Sequence, residues 1–167
     1  MTQPGGPPPL VAEAMKKTGL VWLAPPGGRP VSAWLLWTDG IGYVVGGPGE
    51  QPLPGISPGG PAIVTVQSTD KRARIVTWVA EVTRVEPGTP DWDQIAPQLA
   101  AKRLNATGDT VQRWAETCQV LRLTPTGELT EAGPTLPDAS HAAAPPSSPA
   151  TTPYRMPAKI GRRKIRR

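Results

Sequence analysis

The alternation of apolar and polar positions predicts strands in several stretches of the chain. Residues 20–25 (LVWLAP), 62–67 (AIVTVQ) and 73–86 (ARIVTWVAEVTRVE) repeat with the period of two that places every second side chain on one face. A last stretch, residues 119–125 (QVLRLTP), has the same character. In the longest of them one face would carry Val76, Trp78, Ala80 and Val82, and the other Ile75, Thr77, Val79 and Glu81.

A hairpin is predicted around Asp39-Gly40, the residue pair favoured by a two-residue type I′ turn. This turn fixes the register: Thr38 faces Ile41, Trp37 faces Gly42, Leu36 faces Tyr43, Leu35 faces Val44, and Trp34 faces Val45. Both faces of the hairpin are then apolar, one with Trp34, Leu36, Ile41, Tyr43 and Val45, the other with Ala33, Leu35, Trp37 and Val44. Two apolar faces predict a barrel wall covered on the outside by a helix or a second subunit.

Helices are predicted before and after these strands. Residues 10–19 (LVAEAMKKTG) would bury Leu10, Val11, Ala14 and Met15 and stop at Gly19 in the left-handed conformation. Thr89-Pro90-Asp91 begins a helix in which Pro97 either introduces a kink or starts a second segment. Residues 108–118 (GDTVQRWAETC) follow, with Asp109 as the predicted cap. The order of one helix, five strands, two helices and a strand predicts an α+β fold with an antiparallel barrel.

Composition divides the chain into a folded domain and flanking segments. We expect a flexible lead at residues 1–9, a domain at 10–127, a disordered linker rich in Pro, Ala, Ser and Thr at 128–157, and a basic tail at 158–167. Residues 155–167 hold seven of the 18 basic residues and no acidic ones, so the net charge of +5 comes from this end of the chain. The tail could contact nucleic acid or an anionic surface, or serve only to keep the protein soluble.

Few residues could carry chemistry of their own. Cys118 is the only cysteine and His141 the only histidine, which argues against a disulfide framework and a zinc site and favours a reducing cytoplasm. The sequence predicts no signal peptide and no membrane span. The Gly46-Gly47-Pro48-Gly49 stretch is either a surface loop or a phosphate cradle, and Trp34 or Trp78 could stack on a planar cofactor.

In the order of these elements the chain resembles the FMN-binding split barrels, the family of pyridoxamine 5′-phosphate oxidase and its relatives that use flavin or deazaflavin. The resemblance covers about residues 10–127. It implies a homodimer with FMN or the deazaflavin coenzyme F420 at the subunit interface, and a possible oxidoreductase activity. The positions that would then line a flavin are Ser32, Trp34, Gly46, Gly47 and Thr77.

One feature of that family is missing from the sequence. Its flavin-binding members follow the third strand with a Ser or Thr and then a Lys or Arg that grip the phosphate, whereas this chain has GGPGEQPLPG. A substitute cation would have to come from Arg29, Arg72, Arg74 or Arg84. The sequence therefore leaves two functions open: an oxidoreductase that binds flavin or deazaflavin, and a split barrel without cofactor that acts as a binding or scaffold protein.

Overall fold

The computed structural model describes residues 6–68, 70 and 73–132. The predicted linker from residue 133 onward and the basic tail lie outside the described residues, as does Arg72. The final strand reaches Ala132, five residues past the boundary expected at Gly127. The described elements are, in chain order, α1 (Pro9–Lys16), β1 (Leu20–Ala24), β2 (Val31–Trp34), β3 (Leu36–Thr38), β4 (Ile41–Gly46), β5 (Pro61–Gln67), β6 (Arg74–Val85), α2 (Pro90–Lys102), α3 (Thr110–Thr117) and β7 (Gln119–Ala132).

The seven strands form one antiparallel sheet in the order β2-β1-β5-β6-β7-β4-β3. Its two edge strands, β2 and β3, are separated along the chain by Leu35 alone. The first half of this segment pairs with β1 and the second half with β4, so the sheet curls until its edges are joined through one residue. The predicted α+β fold with an antiparallel split barrel is confirmed.

The predicted hairpin is correct close to its turn and wrong further away. Asp39 and Gly40 both have positive φ, at 51° and 76°, as a type I′ turn requires. Leu36 pairs with Tyr43 as predicted, and so do the two pairs nearer the turn. Trp34 instead pairs with Leu20 on β1, because the chain changes partners at Leu35. The turn determines the local register but carries no information about β1, and six strands therefore precede α2 rather than five.

The assignment of side chains to the two faces of the barrel wall is confirmed. Ala33, Leu35 and Val44 belong to the core cluster inside the barrel, which also contains Trp78 and the side chains of α1. The outward face of β3 and β4 packs under α2 and α3 in a second cluster, formed by Leu36, Tyr43, Val45, Val85, Trp92, Ile95, Ala96, Leu99, Trp114, Cys118 and Val120. We call this region the covered face. Two helices of the same chain thus cover the outside of the wall there.

The helices begin largely as predicted and end differently. The hydroxyl of Thr89 accepts a hydrogen bond from the backbone N–H of Trp92 at 3.3 Å, which caps α2. That helix continues through Pro97 to Lys102, so no second segment begins at the proline. The prediction for Gly19 is wrong, because α1 is followed by Lys17 as its C-cap residue in the right-handed region. Asp109 lies at the N-cap position of α3 as predicted, but its side chain makes no capping hydrogen bond. No helix in the described part of the chain is long and apolar enough to span a membrane.

Candidate functional site

The five residues predicted to line a flavin lie in three different places. Ser32 is exposed on β2, in a row that runs across the sheet through Trp22 and Thr65 to Thr77 on β6. The Thr77 side chain is buried, with its hydroxyl 3.0 Å from that of Thr65. Trp34 borders one cleft, and Gly46 and Gly47 border another.

Close packing explains why Gly46 and Gly47 are glycines. A Cβ on Gly46 would stand 2.8 Å from the Cδ1 of Leu53, and one on Gly47 would stand 2.9 Å from the Cα of Cys118. Gly47 also has a φ of 140°, which side chains rarely adopt. The cleft beside them has a volume of about 250 Å³, with Ile56 and Thr117 also in its wall. Both glycines therefore serve the packing of Leu53 and Cys118.

The two tryptophans proposed for stacking differ in accessibility. Trp78 is 1% exposed inside the barrel, where its ring meets that of Trp37 edge to face at a centroid distance of 6.1 Å. A planar ligand could not reach it without repacking the core. Trp34 is half-buried and borders a larger cleft of about 530 Å³. The other residues around that cleft are Leu20, Gly49, Glu50, Gln51, Lys102, Arg103, Leu104 and Asn105.

A buried carboxylate, Glu50, lies in the loop after β4, and its side chain is 2% exposed. It accepts hydrogen bonds from three donors on the far side of the loop. The distances are 3.0 Å from Arg103 Nε, 2.5 Å from Arg113 Nη2 and 2.9 Å from Trp114 Nε1. These donors are more than 50 residues away along the chain, just beyond α2 and on α3.

The loop at residues 47–50 presents its carbonyl oxygens to the same two arginines. Arg113 donates to the carbonyl of Pro48 at 2.9 Å, and Arg103 to that of Gly49 at 3.3 Å. A phosphate cradle points backbone N–H groups at its ligand. This loop points carbonyls at cations instead, so its geometry favours the surface-loop interpretation of the glycine stretch.

Gln51 connects β2 to β4, two strands that do not pair with each other in the sheet. Its side-chain amide accepts from the backbone N–H of Trp34 at 2.8 Å and donates to the carbonyl of Trp34 at 3.0 Å. Its backbone forms an isolated bridge to Gly46 on β4. The side-chain amide of Gln51 therefore supplies Trp34 with the two hydrogen bonds that a neighbouring strand would make. It does so on the edge of β2 that lies away from β1. Glu50 and Gln51 together attach the loop to α3, β2 and β4.

The pKa shifts of Glu50 and Arg113 agree with the hydrogen bonds between them. Burial alone would raise the pKa of the Glu50 carboxyl, but the hydrogen bonds from Trp114, Arg113 and Arg103 outweigh it and lower that pKa below its ordinary value of 4.5. The pKa of Arg113 is raised, chiefly by its hydrogen bond to Glu50. The carboxylate is therefore charged at neutral pH.

The arginines that reach this loop are not those expected to substitute for a phosphate-binding base. Arg29 is exposed between β1 and β2, and Arg74 begins β6 opposite Gln67. The Nε of Arg84 lies 3.6 Å from the Oε2 of Glu86. Arg103 and Arg113 were missed because a helical pattern does not reveal which loop a helix will face. A lone acid in a glycine- and proline-rich loop, Glu50, was the one available signal.

The residues of this loop do not fit the phosphate of a flavin, and the described residues offer few ligands to a metal ion. Both arginines beside the loop are already bonded to Glu50. The described part of the chain contains no histidine, since His141 lies beyond it, and Cys118 and Met15 are buried in the cores. Within residues 6–68, 70 and 73–132 no three His, Cys, Asp or Glu side chains cluster as metal ligands would.

No protein-family model and no curated protein sequence matches the chain. Among solved structures its fold is similar to that of HutZ, the heme storage protein from Vibrio cholerae, with a TM-score of 0.50 and 17% sequence identity. That likeness covers 74% of this chain and 93% of HutZ. ChuZ from Campylobacter jejuni has a TM-score of 0.46 and 16% identity, over 69% of this chain and 51% of ChuZ. At this identity the likeness to HutZ concerns the fold, and it agrees with the split barrel described above.

Proposed function

We propose that the chain is a split-barrel binding protein that does not hold a flavin by its phosphate. The observation that carries this proposal is the position of Glu50, whose carboxylate occupies both arginines beside the loop after β4. A flavin phosphate entering there would meet a buried negative charge, and it would have to displace three hydrogen bonds. Binding without cofactor chemistry also suits a domain whose described residues include no histidine.

The flavin-dependent oxidoreductase is the function that this proposal competes with. It is supported by the fold and by the aromatic wall that Trp34 gives to the larger cleft. Heme binding enters through the name of HutZ, but the described residues include no histidine to serve as an axial ligand, and Cys118 is 5% exposed. Both alternatives can be tested by the same measurement.

The test is the absorption spectrum of the purified full-length protein, followed by titration with FMN, coenzyme F420 and hemin. We expect a colourless protein and no stoichiometric binding of any of the three. A yellow preparation that releases flavin on denaturation, or saturable binding of FMN, would overturn the proposal in favour of the oxidoreductase. A Soret band that persists after gel filtration would overturn it in favour of heme storage.

We also propose that the protein is a homodimer, as expected from the family resemblance. A second outward apolar surface supports this, formed by Trp22 on β1, Ile63 on β5 and Val79 on β6, with Thr65 between them. We call it the open face. Its three apolar side chains are half-buried and belong to neither core cluster. A second copy of the chain would complete their burial.

The basic tail at residues 158–167 is proposed to make weak, salt-dependent contacts with nucleic acid or another polyanion. The test is retention on a heparin column. We expect a chain truncated after Pro137 to elute at much lower salt than the full chain. Equal elution of the two proteins would refute this contact.

A further inference from the structure

We propose that Arg103, Arg113 and the indole N–H of Trp114 form a binding site for an oxyanion, and that Glu50 occupies this site in the ligand-free protein. The inference rests on the proposed function, since it takes Glu50 as the group that excludes a flavin phosphate from these donors. The class of ligand is a small molecule in which a carboxylate, like that of Glu50, is attached to an apolar ring.

The first argument is the convergence of donors. Two guanidinium groups and one indole N–H meet on the two oxygens of a single carboxylate, Oε1 receiving Arg113 and Trp114 and Oε2 receiving Arg103. Charge-assisted hydrogen bonds from arginine side chains to both oxygens of one acid group are a common way for proteins to recognise a carboxylate. The site therefore has the chemistry of an oxyanion receptor whatever residue supplies the anion.

The second argument is that Trp114 and Arg103 have contacts outside the loop that hold them in place. Trp114 is 0% exposed in the covered face, which is built from α2, α3 and the strands below them. Arg103 also donates to the carbonyl of Asn105 at 2.7 Å, a contact within its own segment. Glu50, in contrast, lies in a short loop between Gly49 (φ 77°) and Gln51. Removal of its carboxylate would leave the buried indole N–H of Trp114 without its acceptor and the two arginines with backbone carbonyls as their remaining oxygen acceptors.

The third argument is access. Glu50 and Arg103 both border the cleft of about 530 Å³, which falls in the range of small-molecule sites. Trp34 provides an aromatic wall, and the rim carries two exposed leucines, Leu20 at 55% and Leu104 at 97%. Lys102, also on the rim, makes no hydrogen bond or ion pair with the described residues. An apolar ring against Trp34 would bring an attached acid toward Arg103.

The experiment is chemical rescue of the full-length Glu50→Ala variant. We expect its melting temperature to fall below that of the native protein, and to recover by several degrees in inorganic phosphate or acetate compared with chloride at equal ionic strength. The native protein should gain no more from phosphate than from chloride, because Glu50 is tethered at a high effective concentration. In the double variant Glu50→Ala/Arg113→Ala the specific recovery should disappear.

The ring-binding part of the proposal is tested with 1-naphthoate on the same Glu50→Ala variant. We expect it to bind about tenfold more tightly than acetate, with quenching of tryptophan fluorescence. Equal affinities would overturn the assignment of the cleft. If Glu50→Ala does not fold, Glu50→Gln keeps the side-chain volume, and the Trp114 indole N–H resonance should then shift on titration with phosphate.

Failure of this inference is distinguishable from failure of the proposed function. Absence of any phosphate- or acetate-specific recovery in Glu50→Ala, or recovery that persists without Arg113, would overturn the oxyanion site and leave the cofactor-free proposal standing. Saturable FMN binding to the native protein would overturn the proposed function. Phosphate rescue of Glu50→Ala would still report on the three donors in that case.

Discussion

The two outward faces of the barrel wall share the same strand chemistry and have different surroundings. On the covered face, side chains from β3, β4 and β7 pack beneath α2 and α3 and are almost fully buried. On the open face, Trp22, Ile63 and Val79 remain half-buried outside both cores. The strands therefore carry apolar side chains on both sides of the sheet. The helices α2 and α3 cover only part of the outward side, and the rest is not buried within one chain.

The covered face should therefore affect the stability of one subunit, and the open face should affect its assembly. Burial of large side chains under α2 and α3 contributes to the unfolding free energy of a single subunit. Side chains on the open face lose contact with water only when something else covers them, so they should affect assembly more than folding. The following substitutions test this division, beginning with the largest expected change.

Leu99→Ala on the covered face should cause the largest loss of stability. Leu99 is 0% exposed and belongs to the second core cluster, so truncation removes buried apolar surface and leaves a cavity. We expect the unfolding free energy to fall by about 2–5 kcal/mol. Urea denaturation followed by tryptophan fluorescence at two protein concentrations measures this change. The exposed Leu104 beyond the same helix provides the control, and Leu104→Ala should change stability by less than about 0.5 kcal/mol. Equal effects at the two positions would refute the burial argument.

Gln51→Ala should have an intermediate effect, because it opens the split beside the covered face. Loss of the amide leaves the N–H and C=O of Trp34 without their partner at a part-buried position. We expect a loss of about 1–3 kcal/mol in unfolding free energy. Gln112→Ala is a matched control, since Gln112 is exposed and bonds only Glu116 among the described residues. Hydrogen exchange at the Trp34 amide should accelerate in Gln51→Ala alone. An unchanged exchange rate would contradict the bridging role of Gln51.

A pH dependence should follow from the lowered pKa of Glu50. Because the carboxyl has a lower pKa in the folded chain than in the unfolded one, its stabilisation is complete above about pH 4.5 and is lost as the pH falls through the folded value. We therefore expect the native protein to lose more stability than Glu50→Gln between pH 6 and pH 3. Glu13→Gln serves as the control for an exposed acid on α1. Parallel pH profiles for the native protein and Glu50→Gln would rule out a charged role for this carboxylate.

The sequence was sufficient for features that depend on near neighbours, and insufficient for those that depend on distant ones. The Asp39-Gly40 turn, the helix start at Thr89 and the inward positions on β6 follow from local chemistry and periodicity, and all three predictions are confirmed. The partner change at Leu35 depends on β1, which the hairpin pattern does not include. The same holds for Glu50, whose partners Arg103 and Arg113 are 53 and 63 residues away. Only the folded barrel brings them together.

Trp22→Asp on the open face should have the smallest effect on the stability of one subunit and a clear effect on assembly. The Trp22 side chain is half-buried outside both cores, so its replacement opens no cavity in either, and we expect the unfolding free energy measured at low protein concentration to change by about 0.5 kcal/mol or less. A charge in the middle of a dimer interface cannot be hydrated or paired there, and it should shift a dimer to a monomer in light scattering. Ser32→Asp places the same charge on the exposed neighbour of Trp22 and tests how far the interface extends. A native protein that is monomeric at all accessible concentrations would refute the dimer, and the half-buried open face would then be a property of the isolated subunit.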